Sequence, residues 1–163
     1  MRRKIAIFAV AGIAMCSCSS IDCPLNNTVY AKYSLMNNSQ QADTLSDTLT
    51  IWTHLAKTMT DTVLLNQQEK AASFSLPMSY AGEKDSLFID LLGRDRTHVY
   101  DTIVVSKTNE PHFESTDCAP SFFHTVSSVW HSKNGIDSII VADKHVTNDA
   151  NATHFHIYFN PIH

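Results

Sequence analysis

Short runs of alternating apolar and polar residues recur along this chain, and they constrain its fold more than any other feature. In residues 28–35, Val29, Ala31, Tyr33 and Leu35 fall on one face of an extended segment. A period of two with β-branched and aromatic residues is typical of strands that bury one face. Because such runs recur about every ten residues between Asn-, Asp- and Ser-rich breaks, they predict an all-β fold, a single antiparallel β-sandwich of immunoglobulin-like class with about eight or nine strands. The predicted strands are residues 28–35, 48–55, 62–66, 72–76, 86–92, 98–106, 122–130, 136–142 and 154–159.

Composition agrees with one folded domain. The 163 residues are 44% hydrophobic, which is enough for a core, and this length is typical of a single domain. The net charge is -4 and no long basic run is present, so nucleic acid is not expected as a partner. Because the chain has only 4 glycines, most of its turns must use Asn or Asp. Asn134-Gly135 is the strongest turn signal and predicts a hairpin with a type I′ turn.

Residues 1–17 are typical of a secretory signal peptide. Arg2, Arg3 and Lys4 precede an uncharged apolar run, residues 5–15, and small residues follow it. At ~1.5 Å of rise per residue, this run covers only about half of a ~30 Å hydrocarbon core. A permanent transmembrane helix is therefore not expected.

The cysteines after the apolar run resemble the lipobox of bacterial lipoproteins. In that family the signal is cut before a cysteine whose sulfur then carries diacylglycerol. Cys18 follows the small Ser17 and is the preferred lipidation site, whereas Cys16 follows the bulkier Met15 and is the alternative. The resemblance implies attachment to a membrane through the lipid anchor. The domain organisation is then a signal peptide at residues 1–17, a lipidated cysteine and tether at 18–27, and a β-sandwich at 28–163.

Cys23 and Cys118 remain as an even pair when the signal is cut before Cys18, and we expect a disulfide between them. Export places the chain in a compartment where disulfides persist. Closing a loop of about 95 residues would stabilise the fold by ~4–5 kcal/mol on the chain-entropy model. The alternative is a catalytic thiolate at Cys118 with His112 or His124, but no local signature of a cysteine enzyme accompanies it.

One tripeptide, an Asp followed by Ser or Thr and then an aliphatic residue, occurs six times. One interpretation is strand entry, in which Asp closes a turn and the aliphatic side chain points inward. The other is modification, because the tripeptide resembles the acceptor motif for protein O-glycosylation in certain Gram-negative gut anaerobes. The candidate acceptors are Thr44, Thr48, Thr62, Ser86, Thr102 and Ser138.

Two features are candidate ligand sites. His154 and His156 are two residues apart on the last predicted strand, so they share a face, and a further ligand would complete a metal site. The alternative is that both are solvent-facing residues of an edge strand. Trp52 lies on the polar face of its strand, where it would stack on a sugar or a partner, or cover the end of the core. Neither feature leads us to expect a cofactor.

No motif for enzyme chemistry is present in the sequence. The chain lacks GxSxG, HExxH, GxGxxG, a phosphate-binding loop and an EF-hand loop. Ser, His and Asp are present, but their abundance without a characteristic spacing does not predict a catalytic triad. We therefore expect a protein that is not an enzyme.

The order of several features resembles a known family outline. Cys23-Pro24 precedes the first strand, residues 115–118 (STDC) precede a strand with Phe122 and Phe123, and residues 155–159 (FHIYF) form the last strand. This outline, over residues 16–160, resembles a family of uncharacterised small lipoproteins, a domain of unknown function, from gut anaerobic Gram-negative bacteria. The resemblance implies paired cysteines and the cell envelope, but no activity.

Some members of that family are encoded near outer-membrane β-barrels, so the resemblance implies a β-barrel or another envelope protein as a partner. Residues 19–22 lack the acidic cluster of surface-export signals in such bacteria, which favours the outer membrane with the domain facing the periplasm. The expected function is a non-enzymatic envelope component that binds or scaffolds another envelope component. The alternative is a ligand-binding module for a glycan, through an exposed aromatic residue, or for a metal, through His154 and His156.

Overall fold

The computed structural model describes Cys23, residues 27–55 and residues 60–160, which form ten strands and no helix. The strands are β1 (Tyr30–Leu35), β2 (Thr48–His54), β3 (Asp61–Gln68), β4 (Ser73–Pro77), β5 (Lys84–Leu92), β6 (His98–His112), β7 (Ser121–His131), β8 (Ile136–Val141), β9 (His145–Val146) and β10 (Phe155–Phe159).

The strands form two sheets. The smaller sheet has the order β4-β1-β10-β8, and the larger sheet has the order β3-β2-β5-β6-β7-β9. Paired strands run antiparallel except β1 and β10, which run parallel with Tyr33 opposite Phe155. These two strands come from opposite ends of the domain, so the long connection that a parallel pair requires is the rest of the domain. The predicted all-β sandwich is confirmed, with ten strands instead of eight or nine and with one parallel pair.

Side chains from both sheets meet in one hydrophobic core. Ala31, Tyr33 and Leu35 of β1 are buried, as the alternation predicts. The ring of Tyr33 stacks on Phe74 of β4 and on Phe155 of β10, with ring centroids 5.0 and 4.6 Å apart. Burial of every second side chain removes apolar surface from water and fixes which face of each strand points inward. The larger sheet contributes Leu49, Ile51, Leu87, Ile89, Leu91, Ile103 and Val105.

The longest strand, β6, extends beyond its predicted end at Ser106. It continues to His112 because it stays paired with β7 there, with Thr108 opposite Thr125. The added segment is polar, so a pattern of buried apolar residues does not reveal it. β9 is also absent from the sequence prediction, since two residues are too short to show a period.

The Asn134-Gly135 turn is not the hairpin that its sequence predicts. β7 belongs to the larger sheet and β8 to the smaller sheet, so this turn carries the chain from one sheet to the other. Neither residue has a positive φ, which excludes a type I′ turn. The packing around Gly135 is close: a Cβ atom there would lie 2.6 Å from Leu91 Cδ1 and 3.2 Å from Val99 Cγ1, so these side chains would have to shift to admit it.

The predicted disulfide between Cys23 and Cys118 is present, with their Cα atoms 5.4 Å apart. Cys23 precedes β1, and Cys118 lies in the connection between β6 and β7. Asn27 adds a second link, because its Nδ2 donates a hydrogen bond of 2.9 Å to the carbonyl oxygen of Ala119. The start of the domain is therefore joined to the tip of the β6–β7 hairpin.

Candidate functional site

The outer side of the larger sheet carries a group of aromatic rings, here termed the aromatic face. Trp52 of β2 lies opposite Phe88 of β5, and their rings stack with centroids 5.9 Å apart. His54 also packs on Phe88, at 4.5 Å, and His98 stacks on Tyr100 at 5.8 Å. The aromatic face comprises Trp52, His54, Phe88, His98, Tyr100 and Trp130.

The members of the aromatic face differ in exposure. Trp130, opposite Val104 in the β6–β7 pair, is 59% exposed, and Tyr100 is 56% exposed. Trp52, the ligand candidate from the sequence, does lie on the outer face, but it is half-buried against Phe88. Trp130 and Tyr100 therefore offer more free aromatic surface than Trp52. Exposed rings that project from the same sheet face are typical of an interaction surface.

A second candidate site is a cleft of about 400 Å³ beside the disulfide, here termed the disulfide-end cleft. It lies next to Cys118, since Ala119 lines it. The rings of Tyr80 and Phe122 stack there with centroids 4.7 Å apart. The walls of the cleft include Val29, Met78, Tyr80, Pro120, Phe122 and His124.

A buried lysine fixes the loop on one side of this cleft. Lys107 occupies an inward position of β6, and its Nζ donates hydrogen bonds to the carbonyl oxygens of Ser79 and Gly82, at 2.5 and 2.8 Å. The same Nζ lies 3.4 Å from a carboxylate oxygen of Asp85. Since Tyr80 lies between the two bonded carbonyl groups, the lysine holds one aromatic wall of the cleft in place.

The same network fixes the tautomer of His124. Asn109 Nδ2 donates a hydrogen bond of 2.9 Å to the carbonyl oxygen of Gly82, so its Oδ1 is the accepting side of the amide. This Oδ1 accepts a hydrogen bond of 3.2 Å from Lys107 Nζ and lies 2.7 Å from His124 Nδ1. Nδ1 must therefore carry the proton, which leaves a lone pair on Nε2. Within the described part of the chain, Nε2 has no hydrogen-bond partner.

Burial keeps His124 uncharged at neutral pH. The residue is 3% exposed, and burial together with the positive charge of Lys107 lowers its pKa to about 4. Asp85 shifts the other way, because burial raises its pKa more than Lys107 and the N–H of Ser79 lower it. The cleft is thus bordered by a neutral imidazole that can accept a hydrogen bond.

The two histidines of the predicted metal pair have different environments. His154 is 1% exposed, and its Nδ1 accepts a hydrogen bond of 2.9 Å from the N–H of Lys32, so the expectation that it faces solvent is wrong. Burial lowers its pKa despite the attraction of Asp143 and Asp149. His156 is half-buried. Over residues 27–55 and 60–160 and at Cys23, no three His, Cys, Asp or Glu side chains are grouped to hold a metal ion.

The candidate glycan acceptors also differ in exposure. Thr44 and Ser86 are exposed, whereas Thr48, Thr62, Thr102 and Ser138 are half-buried. Strand entry does not describe every copy of the tripeptide, because Asp101 is buried inside β6 rather than placed in a turn before it.

The predicted lipidation site Cys18, its alternative Cys16 and the signal peptide at residues 1–17 lie outside the described residues. In the part of the chain that is described, no helix has the length and apolar character needed to cross a membrane.

A family model matches residues 48–159, from the first residue of β2 to the last residue of β10. The description of that model is Family of unknown function (DUF6452). The chain belongs to this family. No curated protein and no solved structure matches the chain significantly. The DUF6452 region includes Lys107, Asn109, Cys118 and His124, whereas β1 and Cys23 lie outside it.

Sequence reasoning missed the lysine network of this DUF6452 protein, although a signal for it is present. Asp101, Ile103, Val105 and Lys107 share the inward face of β6, and a charge at an inward position marks a buried polar group. From the sequence, His124 is a candidate partner of a catalytic thiolate at Cys118 or a further ligand for the His154–His156 pair. The thiolate alternative is wrong, because the sulfur of Cys118 is in the disulfide.

Proposed function

We propose that this DUF6452 protein is a non-enzymatic lipoprotein of the cell envelope that binds another envelope protein through the aromatic face. The basic start, the apolar run and Cys18 support the envelope location and the lipid anchor. The single observation that carries the binding role is the group of exposed rings on the larger sheet. An outer-membrane β-barrel is one candidate partner, with the domain on the periplasmic side.

The aromatic face has the physical properties of a binding surface. Most of its rings stand on β2, β5 and β6, each of which is hydrogen-bonded to a neighbour on both sides, whereas Trp130 stands on β7 beyond the residues that pair with β9. A surface on such central strands is ordered before binding, so little conformational entropy is lost when a partner docks. Burying a ring such as Trp130 or Tyr100 contributes about 1.5–3 kcal/mol, and aromatic residues dominate the binding energy of many interfaces.

The charges around the rings favour a protein over a lipid surface. A carboxylate oxygen of Asp61 lies against His54 Nδ1, and Asp90 lies 2.9 Å from His98 Nδ1. These carboxylates would be repelled by anionic head groups. Exposed aromatic rings interspersed with polar side chains are common at protein–protein interfaces.

Site-specific photocrosslinking in cells that produce the full-length protein tests this proposal. One variant carries a photoreactive residue in place of Trp130. The control carries it in place of Ser75, which is exposed on β4 of the smaller sheet. We expect a discrete crosslinked protein from position 130 and none from position 75. Adding Tyr100→Ala should reduce that product about tenfold, which corresponds to about 1.4 kcal/mol of binding free energy.

Equal crosslinking from both positions, or a product that Tyr100→Ala leaves unchanged, would contradict binding through the aromatic face. The intact mass of the protein from native membranes tests the anchor separately. We expect a chain that starts at Cys18 and carries acyl mass. A chain without acyl mass would contradict the anchor and leave the binding role standing.

A further inference from the structure

The disulfide-end cleft is lined by uncharged groups. The described residues that line it include no Asp, Glu, Lys or Arg, and His124 is neutral. Lys107 lies behind the cleft, but its Nζ is fully enclosed and bonded to Ser79, Gly82 and Asn109. A charged ligand would lose its hydration here without gaining a partner of opposite charge, which is costly. The cleft therefore suits a neutral ligand.

One buried side chain presents a defined polar group to this cleft. His124 donates through Nδ1 to Asn109, so its Nε2 can only accept a hydrogen bond. Because the tautomer is fixed by Asn109 and Lys107, this acceptor is preorganised before any ligand arrives. A ligand that pairs with it must bring a donor, and a hydroxyl group on a neutral molecule is such a donor.

An aromatic wall borders the same cleft. Tyr80 is 66% exposed, yet its position is held by the stacking on Phe122 and by the Lys107 bonds on either side of it. The face of an aromatic ring carries negative charge density and packs well against C–H groups. A sugar ring offers both features that the cleft requires, since its hydroxyl groups donate hydrogen bonds and its C–H face is apolar.

We propose that the disulfide-end cleft binds one neutral sugar residue of an envelope glycan. A sugar hydroxyl donates to His124 Nε2, and the C–H face of the ring packs on Tyr80. The cavity volume of about 400 Å³ lies within the ~300–1,000 Å³ that small-molecule sites occupy. This site is separate from the aromatic face and does not depend on the protein partner proposed there.

Ligand-observed NMR tests the proposal on the protein expressed from its full-length gene, with the disulfide intact. The probes are glucose, galactose, mannose and N-acetylglucosamine, each at about 10 mM, and saturation transfer from protein to sugar is measured. We expect at least one of them to bind with a Kd on the order of 1 mM. Glucosamine and glucuronate, which carry a positive and a negative charge, should bind more weakly than that sugar.

Two variants assign the binding to the cleft. Tyr80→Ala removes an exposed ring, so the fold is retained, and it should weaken sugar binding about tenfold. His124→Asn keeps a donor for Asn109 but removes the Nε2 acceptor, and it should also weaken binding. Tyr100→Ala, which removes a similarly exposed tyrosine from the aromatic face, is the matched control and should leave sugar binding unchanged.

Three outcomes would overturn the proposal. They are the absence of saturation transfer to all four neutral sugars, unchanged sugar binding in Tyr80→Ala, and tighter binding of phenol than of any sugar. The last result would assign the cleft to an aromatic ligand. Because Tyr100→Ala tests the aromatic face and Tyr80→Ala tests the cleft, failure of one proposal is distinguishable from failure of the other.

Discussion

Two charged side chains of opposite sign face the interior from the same strand, β6. Asp101 accepts hydrogen bonds from Ser132 Oγ at 2.5 Å and from the backbone N–H groups of residues 134–136 at 2.6 to 3.0 Å. Lys107 instead donates to backbone carbonyl oxygens of the loop that follows β4. Each charged group therefore makes hydrogen bonds with the backbone of one connection and fixes that connection to the sandwich, and Lys107 also faces the carboxylate of Asp85 on β5.

The two clusters differ in how far the hydrogen-bond network of the charged residue extends. All the bonds of Asp101 end in one turn. Burial alone would raise its pKa, but these hydrogen bonds outweigh burial and lower it, so the carboxylate stays ionised. The Lys107 cluster continues through Asn109 to His124, whose Nε2 is left free beside a cleft. Asp101 thus only fixes a turn. Lys107 also fixes a loop, and in addition it positions residues of the candidate site.

The largest expected loss of stability comes from removing the Asp101 carboxylate. Asp101→Ala leaves the two buried N–H groups of Gly135 and Ile136, the part-buried N–H of Asn134 and the Ser132 hydroxyl without their partner, so we expect the free energy of unfolding to fall by about 3–4 kcal/mol. Urea denaturation measures this fall in the free energy of unfolding. Asp137→Ala is the matched control, because Asp137 belongs to another copy of the tripeptide but is exposed, and it should cost less than about 0.5 kcal/mol. Similar losses in both variants would refute the structural role of Asp101.

A smaller loss of stability is expected from removing the charge of Lys107. Lys107→Met leaves Asp85 buried without its cation, and we expect the free energy of unfolding to fall by about 2–3 kcal/mol. It should also weaken sugar binding, because the loop that carries Tyr80 is released. The double variant Lys107→Met/Asp85→Leu should recover part of the stability, since removing a buried pair costs less than breaking it. If the double variant is no more stable than the single one, the pair does not couple the loop to β6.

The smallest expected effect is a pH dependence of stability that arises from His124 in the Lys107 cluster. The pKa of His124 is about 4 in the folded protein, below its ordinary value of 6.5. Between these values the unfolded chain binds the proton and the folded protein does not, so stability is highest above pH 6.5 and falls as the pH drops toward 4. We expect a loss of about 1–2 kcal/mol over this range in urea denaturation.

His124→Asn should reduce this pH dependence, and the comparison with the parent protein isolates the contribution of His124. A residual dependence of the same sign is expected from His154, whose pKa is also lowered by burial. Asp85 acts in the opposite direction at the acidic end, because its pKa is raised. An identical pH dependence in His124→Asn and in the parent protein would show that His124 is not held neutral by the fold.

Much of the sandwich is predictable because its signal is local. Tyr33 and Leu35 are buried as their alternation indicates, and Phe155 and Ile157 are buried on the last strand. The disulfide is also predictable on the expectation that the signal is cut before a lipidated Cys18, because Cys23 and Cys118 then remain as an even pair. The candidate site is much less predictable. Lys107 is visible as an unusual inward charge, but nothing near it in sequence identifies Ser79, which is 28 residues away, as its acceptor.

The sequence by itself determined the buried faces of strands such as β1 and β2, because strand geometry has a period of two and the apolar side chains follow that period. With the expected cut before Cys18, it also predicted the cysteine pair. Only the tertiary structure decided that Asn134-Gly135 joins two sheets rather than closing a hairpin, and that the free lone pair of His124 lies on Nε2. Both depend on contacts between distant segments: Leu91 and Val99 against Gly135, and Asn109 against His124. A local sequence pattern determines which way a side chain points, but the packing of the two sheets determines which group that side chain contacts.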